Sequence, residues 1–153
     1  MEKLKLSTAN LVILGGGVLM LIASFLDFTQ SRTISVEGIS LHVSVGGGSA
    51  WASGHFLITT IPVLLGIVMA AQVAVVGFAS GVKLPDAVLG LTWDQIHLVL
   101  GFQATIMMLA FLIQDTSGLG KGVGLYLMLI AAIGLLVGAV LRTREAPAAP
   151  PVV

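Results

Sequence analysis

Four long apolar runs divide the chain, and its polar residues gather between the runs rather than within them. Leu11 to Leu26 carries no charge. Counted from Ser7, about 20 residues are available there, enough at about 1.5 Å per residue to cross a hydrocarbon core of about 30 Å. Phe56 to Ala79 is a second such run, and Trp93 to Ile113 and Gly122 to Leu141 are a third and fourth. This pattern predicts membrane helices at about 8–26, 55–80, 94–113 and 122–141, within one domain spanning 1–145. The expected fold is an all-α membrane protein, a four-transmembrane-helix bundle. The Pro/Ala-rich tail 146–153 is expected to be disordered.

The one long interruption, 27–54, has a different period. Ile34 and Val36 alternate with Thr33 and Ser35, and Ile39, Leu41 and Val43 alternate with Ser40 and His42. The apolar parity switches from even to odd across Glu37-Gly38. A two-residue turn there pairs Val36 with Ile39, Ile34 with Leu41 and Thr33 with His42, which puts the apolar residues on one face. The loop is therefore read as a small extracellular β-hairpin between helices 1 and 2. Gly46-Gly47-Gly48-Ser49 reads as a flexible link, and Trp51 as an interfacial anchor before the second helix. Between helices 2 and 3, Val88-Leu89-Gly90-Leu91 is expected to lie along the membrane surface.

Details within the runs refine this picture. Gly15, Gly16 and Gly17 let helix 1 approach a neighbour closely. The basic start and apolar run resemble a signal peptide, but the run is long and lacks a small-x-small cleavage site, so a retained helix is expected. Pro62 should kink helix 2, with Thr59 or Thr60 available to the freed backbone groups. Gly66, Ala70 and Ala74 form a small-residue stripe, and Gly134 and Gly138 a GxxxG pair for helix packing. Asp94 is the expected N-cap of helix 3, and Arg142 and Arg144 the stop of helix 4. Lys3, Lys5, Lys83, Arg142 and Arg144 fall on one side, against Arg32 and Lys121 on the other. This asymmetry predicts a multi-pass protein of the cell membrane with both termini in the cytoplasm.

Composition narrows the chemistry. Charged residues make up 9% of the chain and balance to zero, so no field favours nucleic acid. There is no cysteine, which removes disulfides, thiolate catalysis and Cys-based metal sites. Gln72 and Gln103 are the polar residues deepest in the helices, each about eight residues from the cytoplasmic end. They are expected to hydrogen-bond to each other in packing, with a polar lining for a small substrate as the alternative. Asp94 and His97 stand i, i+3 on one helix face, a spacing that also suits a proton relay. His55 and His97 belong to opposite ends of the helices, so no haem could bridge them. No catalytic, metal or cofactor set is recognisable, and an enzyme is not expected.

Two resemblances add to this reading. Ala23-Ser24-Phe25-Leu26, then Ser49-Ala50-Trp51 and Ile61-Pro62-Val63-Leu64-Leu65, resemble in order the small multi-pass membrane proteins of actinobacteria. Those often carry Ser-Phe-Leu-Pro-Trp where this chain has Asp27-Phe28 in place of Pro-Trp. The architecture is also similar to claudin-type proteins, although their Trp-Gly-Leu-Trp-Cys-Cys signature is reduced here to Trp51. That resemblance implies lateral association through the extracellular loop. The expected role is association, as an accessory subunit or self-assembling scaffold whose partners are the bilayer and other membrane chains or itself. Ile34, Val36, Ile39, Leu41 and Trp51 are the expected partner-binding residues. The alternative is a small transporter or channel subunit with a path at Gln72 and Gln103.

Overall fold

The computed structural model describes residues 7–30, 32–36, 39–43, 48–52, 56–79, 82, 84–114 and 120–145. Among these residues, four helices dominate: α1 (Thr8–Ala23), α2 (Phe56–Phe78), α3 (Trp93–Ile113) and α4 (Val123–Glu145). Three short antiparallel strand pairs join them: β1 (Thr29–Gln30) with β6 (Gly120–Lys121), β2 (Arg32–Val36) with β3 (Ile39–Val43), and β4 (Ala87–Val88) with β5 (Leu91–Thr92). Each helix packs antiparallel on its sequence neighbours, and α4 closes the circuit against α1.

Helices α2, α3 and α4 are long and apolar enough to cross a membrane. α1 is shorter than its apolar run, with 16 residues, or about 24 Å of helix. It ends at Ala23 because residues 24–26 turn away, and the Ser24 hydroxyl donates to the Leu21 carbonyl at 2.6 Å. α4 runs past its expected end to Glu145, so Arg142 and Arg144 lie inside the helix instead of stopping it. α3 is capped by Thr92, not by Asp94. The Thr92 hydroxyl accepts from Gln95 N–H and the Gln95 side chain accepts from Thr92 N–H, a capping box that leaves Asp94 in the first turn. Pro62 sits inside a continuous α2, and both threonine hydroxyls donate to the carbonyl of Ala50, at 2.6 Å from Thr59 and 3.0 Å from Thr60.

The core is built of Ile13 and Met20 from α1, Val63 and Met69 from α2, Met108 and Phe111 from α3, and Leu125, Met128 and Leu135 from α4, all fully buried. Where helices are apolar all round, close backbone approach of small residues decides how they pack. A Cβ on Gly17 would lie 2.5 Å from the Ala70 Cβ and 2.8 Å from the Gly66 carbonyl oxygen, so the small-residue stripe of α2 is consumed against α1. The Thr105 hydroxyl lies 2.8 Å from the Gly101 carbonyl of its own helix and 3.1 Å from that of Ala132, and so links α3 to α4.

The β2–β3 register is Val36 with Ile39, Ile34 with Leu41 and Thr33 with His42, the pairing that the parity switch predicts. The turn at Glu37-Gly38, residues Gly46 and Gly47, His55 and the tail 146–153 lie outside the described residues. Gly48 is fixed, contrary to its reading as a link: its carbonyl accepts from Phe28 N–H at 2.9 Å.

Candidate functional site

Charge converges at one end of the helices, where α2, α3 and α4 meet. Arg142 points back along α4, and its Nε lies 2.6 Å from Asp94 Oδ1. Its Nη1 donates to Gln72 Oε1 at 3.1 Å and lies 3.4 Å from His97 Nδ1. A guanidinium does not give up its protons, so Nδ1 must be the acceptor and the imidazole hydrogen sits on Nε2. His97 is 1% exposed, and its Nε2 has no partner among the described residues. One arginine of α4 thus neutralises a carboxylate and fixes a histidine tautomer on α3 and ties down a glutamine on α2.

Beside this cluster is an open cavity of about 370 Å³, lined in part by Gln72, Asp86, Trp93, Asp94 and Arg142. The Trp93 indole donates to the Pro85 carbonyl at 2.8 Å, which holds the connector over the start of α3. The stretch expected along the membrane surface is folded as a tight hairpin, the β4–β5 pair. Leu89 and Gly90 form its two-residue loop with φ +54° and +80°, and Leu89 is 98% exposed. Chemically, the cluster can bind a polar group in the cavity, through the side chains of Gln72, Asp94 and Arg142 that line it.

The opposite end holds the first loop firmly. Trp51 Nε1 donates to Ser24 Oγ at 2.9 Å, and its ring stacks on Phe25 with centroids 6.0 Å apart. Gly122 N–H donates to the Phe28 carbonyl and Gly124 N–H to that of Asp27, each at 2.9 Å. A Cβ on Gly122 would sit 2.0 Å from the Asp27 carbonyl oxygen, so only glycine fits there. Phe28 meets Phe111 with ring centroids 4.6 Å apart, and the Lys121 ammonium donates to the Leu112 carbonyl.

The residues singled out by sequence separate in space. Gln72 is buried in the charged cluster, whereas Gln103 is exposed on the outer side of α3, so the two amides do not pair. Gly138 is buried against α1, where a Cβ would lie 2.7 Å from the Ile13 side chain, but Gly134 meets nothing within 4 Å. Trp51 is half-buried and engaged within the chain. Ile34, Val36, Ile39 and Leu41 are paired in the hairpin. Sequence reasoning missed Arg142, although Leu135, Gly138 and Arg142 follow the buried stripe of α4 at helical spacing. No protein-family model matches the chain, and comparison with curated proteins and with solved structures finds no match.

Proposed function

We propose that the chain is an integral protein of the cell membrane, a four-helix bundle with both termini in the cytoplasm. In this reading it works by association, as an accessory subunit or self-assembling scaffold of a membrane complex, and not as an enzyme. The observation that carries this reading is the β2–β3 hairpin. Its strands pair with each other, and among the described residues neither strand shares an extensive contact with a helix. An isolated two-stranded hairpin is marginal in water. The alternation along it gathers Ile34, Val36, Ile39 and Leu41 on one face, which calls for a covering surface on another chain. The first loop is anchored by Trp51 and Phe28, so that face would be presented from a fixed base.

Native mass spectrometry of protein extracted gently from its own membrane tests the reading. A defined homo-oligomer, or a stoichiometric second chain lost on Ile34→Ser with Leu41→Ser, is expected. A monomer alone would overturn it.

The second reading, a small transporter or channel subunit, draws on the cavity beside Gln72 and Arg142. Gln103 faces away from it, so Gln72 alone could serve such a path in one copy. Proteoliposomes distinguish the two: a proton or solute flux abolished by Gln72→Leu supports transport.

A further inference from the structure

The outer surfaces of the helices are apolar, with Val68 on α2, Val99 and Ile106 on α3, and Ile130 and Val137 on α4 all exposed. Gln103 interrupts this surface. It has ten helical residues before it and ten after it in α3 (Trp93–Ile113), so it sits at the midpoint of that span. A primary amide carries two donors and an acceptor. Gln103 is exposed, and no hydrogen bond to it is made among the described residues. Acyl chains offer it no partner, and burial of an unpaired amide in hydrocarbon is costly.

The neighbours of Gln103 on that side form a pattern. Ile96, Val99, Gln103, Ile106, Ala110 and Ile113 are spaced 3, 4, 3, 4 and 3 residues apart. All but the half-buried Ile96 are exposed. They lie opposite the buried face of α3, made of His97, Gly101, Ala104, Thr105, Met108 and Phe111. Residues at 3–4 spacing can meet the same face of a second helix. Although α3 is apolar almost throughout, Gln103 marks this face from the rest, since a single polar residue in such a contact sets its register. α3 thus has one face packed within the chain and, facing outward, an exposed apolar seam with Gln103 at its midpoint.

We propose that this seam is the contact between two copies of the chain, with Gln103 hydrogen-bonded to Gln103 of the partner subunit. A two-fold axis along the membrane normal brings equal depths together, so each position on the seam meets itself. An amide suits that place because it can donate to and accept from an identical group. The flanking β-branched residues and Ala110 are equally self-compatible. The proposal rests on the association reading and names its partner as a second copy, through a surface separate from the β2–β3 hairpin.

The chain has no cysteine, so single substitutions report contacts without background. Ile106→Cys on the seam and Val68→Cys on the outer face of α2 are each oxidised in native membranes. A disulfide-linked dimer is expected from Ile106→Cys and not from Val68→Cys. In parallel, Gln103→Leu should weaken dimerisation about 3- to 30-fold, as measured by energy transfer between labelled copies in vesicles, with Gln103→Asn in between. Gln103 is exposed, so these variants keep the fold. An oligomer that cross-links through Val68→Cys and is indifferent to Gln103→Leu would overturn the seam and leave association standing. A chain bound only to a different protein would also overturn it. A monomer under every condition would remove both.

Discussion

At the scale of single residues, Arg142 is the pivot. Its removal takes the partner from the buried Gln72 and His97 and from the partly exposed Asp94, and each buried polar group left unpaired costs about 1–3 kcal/mol. Arg142→Met should therefore lower the thermal unfolding midpoint in detergent clearly, whereas Arg144→Met, at an exposed position of the same helix, should not. Ser24→Ala removes the acceptor of the Trp51 indole. A loss of about 1 kcal/mol and a changed Trp51 emission in a Trp93→Phe background are expected. These roles were only partly legible. Asp94 and His97 announced a shared face by their spacing, but the guanidinium that completes the set comes from 45 residues beyond His97. Positively charged residues at a helix end read naturally as a flank, because local sequence does not reveal which of two arginines turns inward.

Among elements, glycines separate cleanly by face. Gly138→Leu should separate α4 from α1 and destabilise the fold, while Gly134→Ala should be neutral or stabilise by up to about 1 kcal/mol through helix propensity. Chemical denaturation of both variants in the same detergent checks this. The GxxxG spacing could not make the distinction. Positions four apart differ by about 40° around a helix, and Gly134 falls just outside the buried arc. The β4–β5 hairpin holds a different expectation. Leu89 occupies a left-handed conformation where Asn-Gly is the favoured pair. Leu89→Asn should raise stability in micelles by about 1 kcal/mol. By contrast, the β2–β3 register was legible, because the change of parity combined with a two-residue turn at Glu37-Gly38 leaves one pairing.

At the scale of the whole molecule, four antiparallel helices bring the start of α1 and the end of α4 to one side, the side of Arg142 and Asp94. The orientation proposed from the count of basic residues along the sequence has a direct check. Ser35→Cys, in the hairpin, should react with a membrane-impermeant maleimide on intact cells. Thr143→Cys, exposed near the end of α4, should react only after the membrane is opened. The reverse pattern would invert the proposed topology.

What the sequence determined by itself is the main elements, four apolar helices and the first-loop hairpin with its register, but not the β1–β6 and β4–β5 pairs. The main elements follow from hydrophobic period and run length, which are local properties of the chain. Only the tertiary structure decided which face of each helix turns inward. That choice joined Gln72 to Arg142 rather than to Gln103, split Gly134 from Gly138, and spent Trp51 on Ser24. The physical reason is that in helices apolar all round, hydrophobicity no longer marks an inner face. Orientation is then set by close approach of small residues and by the few polar groups that must find one another.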